Sequence, residues 1–173
     1  ELGRAVGVSP SSVSEHIGIL LDHGFVAIEA QGRHRYVRLA SDEVAELVEQ
    51  LSGGIGNRSS APLPRLPSAL GFARSCYGHL AGALGVRVFD SFTANAWIDD
   101  DSADLLFTHE GSARLEALGV AVVRPRRCLD WSQRRPHLGG PTGVALLTRC
   151  VEIGWLQRHP SRPRQIQLTE RGR

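Results

Sequence analysis

Helix caps and turn residues divide the first forty residues into short elements of secondary structure in a fixed order. Ser9 is a favoured helix N-cap and Pro10 suits the first helical position, so we predict a helix from Ser9 to about Asp22. Its apolar residues recur at the spacing of one helical stripe: Val13, Ile17, Leu20 and Leu21. Gly7 predicts a turn after a shorter helix, and Gly24 predicts the end of the longer one.

A β-hairpin is predicted directly after these two helices. Residues 25–28 form one strand candidate, Gln31 and Gly32 form the turn, and residues 33–39 form the returning strand. Helix, tight turn, helix and two-stranded wing are the layout of a winged helix-turn-helix. Any one of these elements alone is more typical of ordinary amphipathic structure, but their order favours a DNA-binding unit.

In this layout the second helix enters the major groove of double-stranded DNA and presents its N-terminal residues to base edges. The residues that we expect to contact DNA from this helix are Ser9, Ser11, Ser12, Ser14, Glu15 and His16. The small hydroxyl side chains allow a close approach and hydrogen bonds to phosphates. We expect Arg33 and Arg35 of the wing to reach phosphates or an adjacent minor groove.

The same residues resemble the core of an ArsR/SmtB-type transcriptional regulator. The similarity covers 40 to 50 residues and runs through residues 2–9, 11–16, 20–26 and 32–39. The resemblance implies a homodimeric repressor that leaves DNA when an inducer binds. It also implies that the chain is N-terminally truncated, because the family's opening helices are missing here.

The helix predicted after the wing, over residues 41–51, departs from the family in one respect. Its acidic residues are not accompanied by histidine, so we do not predict the family's Asp and His metal site there. The family's thiolate site falls at or before Glu1. The apolar residues Val44, Leu47, Val48 and Leu51 have helical spacing and predict either a dimer seam or packing within one chain.

Composition narrows the class of protein. Apolar residues make up 42% of the 173 residues, and no apolar run reaches the length of a membrane span. All 20 basic residues are Arg, and residues 124–173 hold 11 of them against 3 acidic residues. This skew favours a polyanionic partner, although a solvated basic face is equally consistent. Three cysteines without a CxxC pair do not form a disulfide framework, which favours the cytoplasm.

The chain is predicted to contain a DNA-binding part and a duplicated part. Residues 1–51 form the first, a glycine-, serine- and proline-rich linker spans residues 52–68, and residues 69–123 and 124–173 form two repeats that pack together. The repeats share His79 with His137 and Trp97 with Trp155 at one offset. Each ends in a Thr-x-x-Gly pattern of the kind that closes a wing, and each is predicted to hold a helix, a Gly-Val turn, a second helix and a hairpin. The predicted fold is therefore mainly α with small β-hairpin wings, an α+β class.

The second half also contains thiol and imidazole side chains that suit a metal. Cys76 and His79 are predicted on one helix, with Cys128 and His137 in the second repeat, and together they match the ligands of zinc or another thiophilic metal. Simple core packing of Cys76 is the alternative. The nearby arginines favour two others, an anionic effector or contact of the basic tail with DNA: Arg126, Arg127, Arg134 and Arg135.

No catalytic motif supports an enzyme: the chain has no nucleophile elbow, zinc-protease helix or nucleotide fingerprint. The aspartates at 99–101 and Asp104 are interpreted as a solvated hairpin loop. Two functions stand. The first is a sequence-specific transcriptional regulator that binds double-stranded DNA as a homodimer and responds to an unknown effector. The second is a cytoplasmic ligand- or metal-binding module whose helix-turn-helix contacts only proteins.

Overall fold

The computed structural model of the protein describes residues 2–32, 34–41, 43–45, 47–48, 51, 67–99 and 104–173. The chain divides into two compact units, Glu1–Val48 and Glu49–Arg173. Most of the linker predicted at 52–68 lies outside the described residues. Within the described part, no helix is long and apolar enough to cross a membrane.

The first unit contains two helices followed by a hairpin, in the predicted order. Its elements are α1 (Leu2–Val6), α2 (Pro10–Asp22), β1 (Val26–Gln31) and β2 (His34–Leu39). The Ser9 hydroxyl accepts a hydrogen bond from the Ser12 amide at 3.2 Å and so caps α2, as the sequence predicts. Residues 43–45 and 47–48, after the hairpin, are also helical.

Packing within the first unit is shallow. Val13, Ile17 and Leu21 on α2 are half-buried and face an apolar groove that Ile28 and Val37 of the hairpin also line. Leu20 does not join this stripe, because its side chain is 40% exposed. The apolar face of α2 is therefore narrower than its sequence predicts.

The second unit begins with a short helix and a hairpin and continues with alternating helices and hairpins. Its first elements are α3 (Ser68–Phe72), β3 (Arg74–Cys76), β4 (His79–Ala81), α4 (Ala83–Ala94), β5 (Ile98–Asp99), β6 (Leu106–Phe107) and α5 (His109–Ala117). Its remaining elements are β7 (Arg126–Asp130), β8 (Arg135–Gly139), α6 (Gly140–Glu152), β9 (Leu156–His159) and β10 (Arg162–Leu168).

The strands of the second unit form small antiparallel sheets. One sheet has four strands in the order β4-β3-β10-β9, while β5 pairs with β6 and β7 pairs with β8. The last hairpin of the unit thus pairs with the first, through β10 and β3. The fold is mixed α/β, with more strand pairing than the predicted mainly α class.

Two clusters of buried apolar side chains form the core of the second unit. The larger contains Phe89, Phe92, Ile98, Leu105, Leu115, Val120, Leu138 and Leu146. The smaller contains Ala73, Leu80, Leu147, Leu156 and Ile166. Helices α4 and α6 both contribute, so burial of their apolar faces stabilises the two halves of the unit as one body.

Two predicted elements of the second unit are wrong. The helix expected to carry Cys76 and His79 is the hairpin β3–β4, in which Tyr77 has a φ of 54° that no regular helix allows. The expected Gly-Val turns lie inside helices, because α4 starts at Ala83 and α6 at Gly140. Gly82, with a φ of 82°, makes the turn from β4 into α4 instead.

The two halves of the second unit nevertheless share an order of elements: hairpin, helix, tryptophan, hairpin and Thr-x-x-Gly corner. At the first corner the Gly111 amide donates to the Thr108 hydroxyl at 3.1 Å, and at the second the Gly172 amide donates to Thr169 at 3.1 Å. A Cβ at Gly111 would lie within 2.8 Å of the Trp97 backbone, so only glycine fits this corner.

Candidate functional site

One face of α2 presents polar side chains to solvent at the helix N-terminus. Ser11, Ser14, Glu15 and His16 are exposed, whereas Ser12 is half-buried. Some of the predicted contacts are already engaged within the helix. The Ser9 hydroxyl lies 2.8 Å from that of Ser11, and the Ser14 hydroxyl donates to the Pro10 carbonyl at 3.0 Å. Ser9 therefore positions the helix start as well as facing outward.

The hairpin that follows α2 holds Arg35, one of the two predicted wing arginines, on its second strand. Gly32 turns the chain with a φ of 58°, and Arg35 is exposed opposite Ala30 on the neighbouring strand. Arg33 lies outside the described residues. Arg35 lies on a paired strand, so its guanidinium can reach an anion without the ordering of a loop.

The four thiol and imidazole residues singled out from the sequence come together in the second unit. One ligand atom from each of Cys76, His79, Cys128 and His137 lies within 4.8 Å of all the others. The two imidazoles face each other, with their Nε2 atoms 3.0 Å apart. The structure thus brings all four predicted metal-site residues into one cluster.

The two Cys–His pairs differ in sequence spacing, and strand register explains how both join one cluster. Cys76 is the register partner of His79 in β3–β4, and Cys128 is the register partner of His137 in β7–β8. Directly opposite residues of antiparallel strands place their side chains on the same face. Each hairpin therefore presents one Cys–His pair, and the length of the hairpin loop does not matter.

Two helix glycines allow the hairpins to approach closely. A Cβ at Gly85 would lie 2.6 Å from the Leu80 carbonyl oxygen, so a larger residue cannot occupy this position. A Cβ at Gly143 would lie 2.4 Å from the Leu138 carbonyl oxygen and 3.0 Å from Cβ of His79. Gly85 and Gly143, which the sequence predicts in turns, lie inside helices instead. They allow the start of each helix to pack against its own hairpin and beside the cluster.

The cluster is secluded from solvent on most sides. His79 and His137 are 1% and 0% exposed and Cys128 is 4% exposed, whereas Cys76 is half-buried. A hydrogen bond with Cys128 lowers the pKa of the Cys76 thiol most, burial opposes this, and the two imidazoles lower it further, to about 3. The surroundings of Cys76 therefore favour its thiolate form.

A buried ion pair, which sequence reasoning missed, lies beside the cluster at the end of β7. The Arg74 guanidinium donates to both carboxylate oxygens of Asp130 at 2.8 Å, and the Gly82 amide donates to Asp130 at 2.6 Å. Ser132 donates to the same carboxylate from its amide and its hydroxyl, at 2.9 and 2.7 Å. Trp131 covers the guanidinium, with the ring centroid 5.1 Å from Cζ of Arg74.

This network controls the protonation of Asp130. Burial raises its pKa, but the hydrogen bonds from Ser132, the Gly82 amide and Arg74, with the charge of Arg74, outweigh burial and hold the pKa at about 2. The carboxylate links the start of α4 to β7. It therefore holds the two cysteine-bearing hairpins in one arrangement.

The four arginines proposed as an anion site do not form one patch. Arg126 and Arg127 are successive residues of β7, so their side chains leave opposite faces of the hairpin. Arg135 donates to Asp90 at 2.7 Å, while Arg134 adopts a φ of 52° in the turn. This arrangement favours local ion pairing over the binding of one anion by all four.

Two further sequence features lie apart from the cluster. Cys150 is half-buried against both core clusters, and burial raises the pKa of its thiol. Asp99 and Asp104 are exposed at the β5–β6 hairpin, and the aspartates between them lie outside the described residues.

Comparison with curated proteins finds one informative relative. The chain is 33% identical over 189 residues to the uncharacterized HTH-type transcriptional regulator YdfF of Bacillus subtilis (strain 168), with 100% of this chain and 80% of the relative covered. No protein-family model and no solved structure matches the chain. The similarity spans both units, so it includes the hairpins that carry the cysteines and histidines.

Proposed function

The chain belongs to the family of HTH-type transcriptional regulators, and from this premise we propose that it is a sequence-specific, homodimeric DNA-binding repressor that an effector releases from DNA. The observation that carries the proposal is the capped helix α2, whose N-terminal polar face is exposed beside a hairpin with an outward arginine. These features support an ArsR/SmtB-type winged helix as the finer class.

In the proposed complex, α2 lies in the major groove. The N-terminus of a helix carries partial positive charge and unpaired amides, so it approaches the phosphate backbone favourably. Exposed Glu15 and His16, with half-buried Ser12, then face base edges, and the other serine hydroxyls contact phosphates. Arg35 contacts the backbone or minor groove next to this site.

Dimer formation is supported by exposed apolar side chains that follow the hairpin. Leu47 and Leu51, after the hairpin, are 42% and 57% exposed, and Val44 and Val48 beside them are half-buried. Their spacing follows one face of a helix. One recognition helix reads only a few base pairs, so two copies on a two-fold operator give the required specificity.

The second unit is proposed to be the effector-responsive part. Its two halves share an order of elements, and both place a Cys–His pair on the cluster-facing side of a hairpin. The cluster and the Arg74–Asp130 pair are the buried polar features through which ligand binding is able to change the packing of the two halves.

The proposal is tested by DNA binding of His16→Ala, on an operator selected from random duplexes with the wild-type protein. We expect a loss of about 1–3 kcal/mol on the operator and little change on random DNA. His109→Ala is the matched control, because His109 is an exposed histidine of the second unit. Equal loss on both DNAs would remove the base-reading role of α2.

Ser12→Ala serves as a second variant for the same face. Its hydroxyl lies 2.9 Å from that of Ser9, so the variant also reports whether the cap network matters for DNA binding. A loss of similar size is expected on the operator alone.

The second candidate function is a metal- or ligand-binding module whose helix-turn-helix contacts only proteins. The Cys–His cluster favours it, because such a site needs no DNA. Absence of salt-dependent binding to any duplex would support this function over the first.

A further inference from the structure

The geometry points to a metal site: we propose that Cys76, His79, Cys128 and His137 bind one zinc-class divalent cation in a closed tetrahedral arrangement. The proposal does not depend on DNA binding, and its tests use no DNA. Two thiolates and two imidazoles are a ligand set that zinc prefers, and four protein ligands fill all positions of a structural site.

The distances suit such an ion. Bonds of about 2.0–2.3 Å to nitrogen and sulfur place the ligand atoms of a tetrahedral zinc about 3.3–3.8 Å apart. The four ligand atoms lie within 4.8 Å of one another, and the facing Nε2 atoms are 3.0 Å apart. Small side-chain movements are therefore enough to reach the bonded geometry, and the backbone of the hairpins is already in place.

Burial and charge also favour a cation. Two thiolates balance the charge of a divalent ion, so the loaded site is neutral in a part of the fold that excludes water. Nδ1 of His137 is buried without a hydrogen-bond partner among the described residues, which makes this ring costly to bury.

The structural effect of the ion follows from the hairpins that supply its ligands. Two ligands come from β3–β4 and two from β7–β8, and β4 contacts β8 directly. The ion therefore cross-links the two halves of the second unit. Because Cys76 is the half-buried ligand, the ion enters from its side.

Cobalt(II) is the first probe, used with the whole chain after chelation and thiol reduction. We expect saturation at one cobalt per chain, a thiolate-to-cobalt charge-transfer band and the intense d–d bands of tetrahedral cobalt. Zinc(II) should then displace the cobalt and abolish the colour. Lack of saturable binding, or a weak six-coordinate spectrum, would overturn the proposal.

Competition with a chromophoric chelator measures the zinc affinity of variants. Cys76→Ser and Cys128→Ser should each lose at least about 100-fold, because loss of a mere outer-shell partner already costs 10–100-fold. Cys150→Ser is the matched control, since Cys150 is a half-buried cysteine of the same unit outside the cluster, and it should keep wild-type affinity. Unchanged affinity in the ligand variants would contradict the site.

Thiol alkylation of the wild-type protein tests the site without a substitution, so misfolding of a variant cannot affect the result. Zinc should slow alkylation of Cys76 and Cys128 and leave that of Cys150 unchanged. Equal rates at all three cysteines with and without zinc, or a Cys76–Cys128 disulfide that forms while zinc gives no protection, would overturn the proposal.

Discussion

The two units bury their side chains to very different extents. Among the described residues of Glu1–Val48 only Ala45 is fully buried, whereas the second unit holds two apolar clusters and several buried polar groups. Leu2, Val6 and Ile19 of the first unit are 51%, 67% and 50% exposed. The first unit alone therefore gains little from burial of apolar surface, at about 25 cal/mol per Å².

This difference assigns different roles to the units. The exposed apolar residues of the first unit favour contact with further protein surface, as in the proposed dimer. A unit with buried Arg74, Asp130, His79 and His137 is sensitive to the loss of a polar partner. Stability of the second unit should thus depend on single polar contacts, and that of the first on association.

The largest expected effect comes from Asp130→Asn. The substitution leaves the buried Arg74 guanidinium without its counter-charge, and breaking a buried pair in this way costs about 3–5 kcal/mol. Denaturant unfolding followed by tryptophan fluorescence measures the second unit alone, because Trp97, Trp131 and Trp155 all lie there.

Asp90→Asn is the control for Asp130→Asn. The contact distance of the Asp90–Arg135 pair, 2.7 Å, is close to the 2.8 Å of Arg74–Asp130. Its side chains are 36% and 58% exposed, however, so its loss should cost less than about 1 kcal/mol. Similar destabilisation by the two variants would show that the buried pair stabilises the fold no more than the exposed pair does.

The next largest effect is the acid sensitivity of the second unit. The folded pKa of Asp130 is about 2, below its ordinary value of 3.8, so its contribution is present above pH 4 and is lost as the pH falls through about 2. The shift corresponds to about 2 kcal/mol.

Urea unfolding of wild type and Asp130→Asn between pH 5 and pH 2 isolates this contribution. Other carboxylates titrate in both proteins, so the difference in unfolding free energy should shrink by about 2 kcal/mol at the acid end. A constant difference across this range would contradict the assigned pKa.

Local signals made the first unit predictable, whereas the second unit depends on distant contacts. Ser9, Pro10 and Gly24 fixed the bounds of α2 because caps act through neighbouring amides. The set of cysteines and histidines was also found from sequence, through the correspondence of His79 with His137. The strands of Cys76 and His79 are wrongly predicted as one helix, because three-residue strands are too short to show a period of two.

The Arg74–Asp130 pair had no local signal at all. Its partners are 56 residues apart and carry no motif that distinguishes them from surface charges. The glycines at 85 and 143 did carry a signal, since they occur at equivalent positions of the two halves. Their role depends on the Leu80 and Leu138 carbonyl groups that lie against them, and the sequence does not place these groups.

The dimer proposal is tested by Leu47→Glu. Placing a charge on this exposed apolar face should weaken association at least about tenfold, which is about 1.4 kcal/mol. Sedimentation equilibrium of the whole chain, free and on operator DNA, measures the change. Leu106→Glu, at a leucine that is 54% exposed in the second unit, should leave association unchanged. A wild-type monomer both free and on DNA would end the dimer proposal.

The smallest expected effect concerns the contact between the hairpin and DNA. Arg35 is exposed on β2, and each phosphate that an arginine neutralises releases condensed counterions when the protein binds. Arg35→Ala should therefore reduce the slope of log affinity against log salt by about one unit per contact, with a uniform loss on operator and random DNA. Fluorescence anisotropy across a salt series measures this slope.

Arg114→Ala, which removes an exposed arginine paired with Glu110 in the second unit, is the control and should leave the slope unchanged. An unchanged slope for Arg35→Ala would place the hairpin away from the DNA, and base reading by α2 would then have to proceed without a wing contact.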